Sequence, residues 1–113
     1  MIRRFVFFRF KEAYRGVDAK AEILERTHEV LQTVPGVLDY EVGTPADEKA
    51  SAAWDLSISV GFETRESLAA YIVDPEHRRY VDEFIKPRLE VIKAWNFHPS
   101  GSESAQEDGA VGK

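Results

Sequence analysis

The chain contains no cysteine, which excludes disulfides and thiol catalysis and leaves the redox compartment open. It is also short of positive charge, with 15 Lys and Arg against 20 Asp and Glu and a formal net charge of −5. Nucleic-acid binding depends on concentrated positive charge, so that class of partner is excluded. No apolar run approaches the roughly 20 residues that a bilayer requires, so no membrane partner is expected. The apolar opening is broken at Arg9 and Lys11 and has no small-residue cleavage site. It therefore does not read as a signal peptide, and a cytoplasmic location is the expectation. His28, His77 and His98 are scattered, with no carboxylate at ligand spacing, so no metal is expected. A glycine-rich phosphate loop and a nucleophilic serine motif are both missing, and no cofactor is expected.

What is present reads as one domain over 1–98, followed by a flexible polar tail over 99–113 whose aliphatic content is close to nil. Residues 2–11 alternate, with Arg4, Val6, Phe8 and Phe10 on one face and Arg3, Phe5, Phe7 and Arg9 on the other. Both faces are largely apolar, which predicts a strand covered on both sides. Helices account for one face, and a second copy of the protein is the economical cover for the other. From about Asp18 to Val34 the period becomes helical through Ile23, Leu24, Thr27, Val30 and Leu31, with Asp18 as the expected cap and Pro35-Gly36 as the stop. Leu38, Tyr40 and Val42 predict a half-buried strand, and Asp47, Glu48 and Lys49 a polar connection. Trp54, Leu56, Ile58, Val60 and Phe62 then alternate with Asp55, Ser57, Ser59 and Gly61 in the clearest strand. A helix capped by Thr64 runs to Tyr71, restarts at Asp74-Pro75 and continues towards Pro87, and a short strand near 94–97 closes the set. The order β-α-β-β-α-β predicts an α+β, ferredoxin-like antiparallel sheet with helices on one face.

The candidate for chemistry is the segment from Tyr71 to Val81, where a phenol and an imidazole flank the Asp74-Pro75 helix start six residues apart. Together with the Met1-Ile2 opening, Val34-Pro35-Gly36-Val37, Gly43, and Phe62 to Leu68, the run from Tyr71 to His77 makes the chain resemble the stress-responsive α/β-barrel (Dabb) family over about residues 1–98. The resemblance implies a dimeric α+β barrel with two sheets face to face and functions ranging from stress-linked proteins of unknown activity to polyketide cyclases. In the cyclases a base, a phenol and a strand-one histidine share a cavity between sheet and helices. These roles fall here on His77, Tyr71 and Arg4. Arg4 departs from the family's histidine and argues against the known cyclase route. Asp74 and Asn96 are further departures.

Neutral imidazole suits a general base acting next to a ketone, and a tyrosine hydroxyl suits a developing enolate oxygen. The rival reading makes His77 a structural histidine bonded to Tyr71 or to backbone, and Tyr71 a core aromatic. Arg4 is either a fork for a carboxylate, one half of an ion pair across the sheet, or a side chain snorkelling out at the strand's start. The expected small-molecule pocket is lined by Arg4, Val6, Phe8, Ile23, Leu24, Thr27, Ile58 and Val60. The dimer contact is expected through Phe5, Phe7, Ser57 and Ser59. Two functions follow: binding or cyclising a small acidic or polyketide-like molecule, or a non-catalytic stress-related assembly whose dimer is the functional object.

Overall fold

The computed structural model describes residues 1–100. Beyond residue 100 the expected polar tail lies outside the described residues. Four strands form one antiparallel sheet in the order β2-β3-β1-β4, where β1 is Ile2–Phe10, β2 Asp39–Gly43, β3 Leu56–Phe62 and β4 Leu89–Phe97. Helix α1 (Val17–Thr33) follows β1, α2 (Glu48–Ala53) follows β2, and α3 (Arg65–Val73) and α4 (Pro75–Arg79) lead into a π-helical turn at Tyr80–Ile85. The architecture is the ferredoxin-like α+β fold anticipated from the alternation of periods. No helix among the described residues is long and apolar enough to cross a membrane.

Alternation decides which side of β1 is dry. Phe8 and Phe10 are buried against Leu56, Phe62, Ile23, Val30 and Ile85 in one core. Burying such side chains contributes about 1.5–3 kcal/mol each. On the outer face Phe7 packs between Trp54 and Trp95, with ring centroids at 5.5 and 6.1 Å, and Phe5 meets Phe97 edge-on at 5.8 Å. Trp95 and Phe97 remain 48% and 56% exposed. This aromatic row borders a groove of about 540 Å³ lined by Phe5, Phe7, Glu41, Gly43, Ser57 and Ser59.

Several boundaries differ from the sequence expectation, each for a local reason. The polar connection at 47–49 is the start of α2: Asp47 accepts from the Ala50 N–H at 2.8 Å, and good helix formers follow. Trp54 therefore ends α2 and joins the outer face, out of step with Leu56. Leu38 precedes β2 and is exposed, though its N–H reaches the Gly61 carbonyl at 2.9 Å. Asp18 sits in the first turn of α1, and Gly16 occupies the cap position. The last strand is nine residues, because Val91 to Phe97 pair with Arg9 to Arg3 of β1. Thr64 does form a reciprocal capping box, with the Ser67 hydroxyl doing what a carboxylate usually does.

One charged group is buried inside this frame. Asp55 accepts the Phe10 N–H at 2.9 Å and sits within 3.4–3.7 Å of Lys20, Arg9 and Arg15. It ties the end of β1 to α1 at the point where the β1–β4 register shifts.

Candidate functional site

The corner between α3 and α4 builds the site. Asp74 stops α3 and caps α4, its Oδ1 accepting from Glu76 N–H at 2.9 Å and His77 N–H at 3.3 Å. Pro75 at the first helical position has no N–H to leave unsatisfied. The chain thereby turns back so that the His77 ring lies on Tyr71, with centroids 4.1 Å apart, and Tyr71 lies on Phe62 at 4.9 Å. His77 Nδ1 is 3.1 Å from the Ile72 carbonyl. A carbonyl only accepts, so Nδ1 carries the hydrogen and Nε2 is left with the lone pair.

Both rings border a cavity of about 90 Å³ between sheet and helices, together with Arg4, Val6, Phe8 and Ile58 from the sheet. Six of the ten residues predicted for the site therefore converge. Ile23, Leu24, Thr27 and Val60 do not line it. Ile23, Thr27 and Val60 are fully buried in the core, and Leu24 packs against that core. Tyr80 stands between α1 and the cavity, its hydroxyl 2.6 Å from Thr27 Oγ1.

The segment from Tyr71 to Val81 holds four further lining residues, Ile72, Arg78, Tyr80 and Val81, that sequence reasoning did not assign to the pocket, and it missed Ile92 and Ala94 of β4 altogether. Tyr80 and Val81 lie three and four residues beyond His77, and helical spacing from His77 would have found them. Half-buried Arg78 and exposed Ile92 and Ala94 put the mouth between α4 and β4.

The electrostatics set the protonation states. Burial pulls the His77 imidazole below its ordinary value of 6.5; the Ile72 bond and Asp74 oppose this, and the Arg78 and Arg4 charges add to it. Burial pushes the Tyr71 phenol up to about 12, against the pull of Arg4. At neutral pH the pair is a free base and a protonated donor. Arg4 is itself lowered by burial but stays a cation. It donates from Nη1 to Asn96 Oδ1 at 2.9 Å, its register partner on β4, rather than to an Asp or Glu across the sheet. His28 is half-buried and rests on Tyr40, with ring centroids 5.7 Å apart. No group of three metal-ligating side chains occurs among the described residues.

Against known proteins, the model of the stress responsive A/B barrel domain (Dabb) family matches residues 2–98. No curated protein matches the chain. Among solved structures, a Dabb family protein with a ferredoxin-like fold from Mesorhizobium loti is 22% identical, with a TM-score of 0.76 over 88% of this chain and 97% of its own. A dimeric ferredoxin-like protein of unknown function from Thermobifida fusca is 20% identical, with a TM-score of 0.75 over 87% and 90%. The hydroxynitrile lyase of Passiflora edulis is 16% identical, with a TM-score of 0.76 over 89% and 94%. At these identities the likeness is one of fold.

Proposed function

Because this chain belongs to the stress responsive A/B barrel domain family, we propose that it works as a homodimer whose protomers each take a small carbonyl compound into the cavity beside His77 and Tyr71. His77 is the base that removes a proton next to the carbonyl, and Tyr71 is the hydrogen-bond donor to the oxygen on which charge develops. The observation that carries this reading is the state of the pair. His77 has Nδ1 committed to Ile72 and is held neutral, and Tyr71 is held protonated, at one cavity wall. These are the states that a base and an enolate stabiliser require. A cavity of about 90 Å³ is well below the roughly 300–1,000 Å³ of drug-sized sites, which narrows a polyketide-like substrate to a short one or to a single reactive end.

The homodimer is supported by the half-exposed aromatic row on the outer face and by the dimeric relative from Thermobifida fusca. The test is solvent exchange: with acetone in D₂O, the protein accelerates loss of the methyl proton signal, and His77→Gln removes at least 90% of that acceleration, a tenfold loss or about 1.4 kcal/mol of barrier. Undiminished exchange in a folded His77→Gln protein would leave the non-catalytic assembly as the function, with Tyr71 and His77 as packing residues.

A further inference from the structure

Arg4 is the residue of the cavity that base and donor leave without a task. Arg3, Arg9, Arg15, Arg26, Arg78 and Arg79 each form an ion pair with a carboxylate. Arg4, like Arg65 and Arg88, forms none among the described residues, but Arg65 and Arg88 lie away from this cavity, whereas Arg4 lines it and has the neutral Asn96 Oδ1 as its protein acceptor. A half-buried guanidinium carries five N–H donors in a fixed fork that matches a carboxylate. Withdrawing it from water without an anion is unfavourable. Yet it sits on the wall of an otherwise mainly apolar cavity that also bears the base and the donor. Arg78, the other arginine at this cavity, is neutralised at the mouth by Asp82 at 2.6 Å.

We propose that Arg4 is a specificity residue, anchoring the carboxylate of a short-chain oxo acid whose ketone faces Tyr71 and whose enolisable carbon faces His77. This rests on the His77–Tyr71 reading and adds the class of substrate. Size agrees in direction: a cavity of about 90 Å³, well below the roughly 300–1,000 Å³ of drug-sized sites, favours a short-chain acid. The step balances without a co-reactant. The C–H bond next to the ketone breaks and its proton moves to His77 Nε2. The electron pair forms the carbon–carbon double bond, and the ketone oxygen becomes an enolate oxygen hydrogen-bonded by Tyr71. Asn96 positions Arg4 from the neighbouring strand.

The experiment uses the full chain and two probes, pyruvate and acetone, followed by proton loss in D₂O. The wild type should prefer pyruvate in kcat/KM, propionate should compete, and propionamide should not. Arg4→Gln should lower the pyruvate-to-acetone ratio at least tenfold, chiefly through KM, and Arg4→Lys should lie between the two. Equal handling of both probes by the wild type, or an unchanged ratio in Arg4→Gln, overturns the carboxylate anchor while acetone exchange leaves the base and donor standing. If neither probe exchanges, the base reading fails, and the anchor is judged by binding alone. Shifts of the His77 ring signals with propionate but not propionamide, lost in Arg4→Gln, uphold it, and equal or absent shifts in the wild type overturn it.

Discussion

Burial holds His77 neutral, and that fixes the sign of a pH effect. Its folded value lies below the ordinary 6.5, so between the two values the unfolded chain binds the extra proton. The stability that His77 contributes is complete above pH 6.5 and is lost as pH falls through the lowered folded value. Melting curves should show the wild type losing more Tm from about pH 7 to about pH 5 than His77→Gln. The charged groups facing it are Asp74, Arg78 and Arg4, and parallel curves would mean that His77 contributes no stability through its protonation. Asp55 poses a different residue-scale problem, since removing its carboxylate orphans the buried Phe10 N–H and leaves three cations facing one another. Asp55→Ala should cost about 2–4 kcal/mol by urea midpoint, with Asp55→Asn milder because its amide oxygen still accepts from Phe10. Nothing in the β3 pattern flagged Asp55 as buried, because alternation assigned it to the open face.

Helices and strands were legible in proportion to how much of their stability is local. Asp74-Pro75 announced a restarted helix because a cap and a proline act within four residues. Asp74→Ala removes the acceptor for two N–H groups and should cost about 1 kcal/mol. It should also loosen the Tyr71–His77 stack, seen as a sharper loss of α-proton exchange than of Tm. The six-residue α2 looks like a polar connection in the sequence because it has no apolar period, only an Asp47 cap and alanines. Most of β4 was unreadable for the opposite reason: Glu90, Val91, Ile92 and Lys93 show no alternation, and their strand state comes from pairing with β1. The site followed the same rule. Tyr71 and His77 could be placed from one helix corner, whereas the failure of Ile23, Leu24 and Thr27 of α1 to line the cavity depends on Tyr80, whose hydroxyl meets Thr27. The π-helical turn that carries Tyr80 is a winding often found beside functional sites.

Taken as a whole, the molecule covers one side of its sheet and leaves the other aromatic. An isologous dimer buries the same patch twice, so a charge at its centre is doubled. In the proposed homodimer, Phe7→Lys should shift sedimentation from dimer to monomer, with a Tm that then depends on protein concentration no longer; a variant still dimeric would place the interface elsewhere. The strand order has a separate consequence for synthesis. The central strand, β1, is made first, but one of its neighbours, β4, ends at Phe97, which pairs with Arg3. At ~5–20 residues per second, a nascent β1 with Phe5, Phe7, Phe8 and Phe10 waits on the order of 5–20 s for that neighbour. During translation this N-terminal stretch is the segment that a ribosome-associated chaperone would hold, and the sheet can close only after nearly the whole domain has left the ribosome.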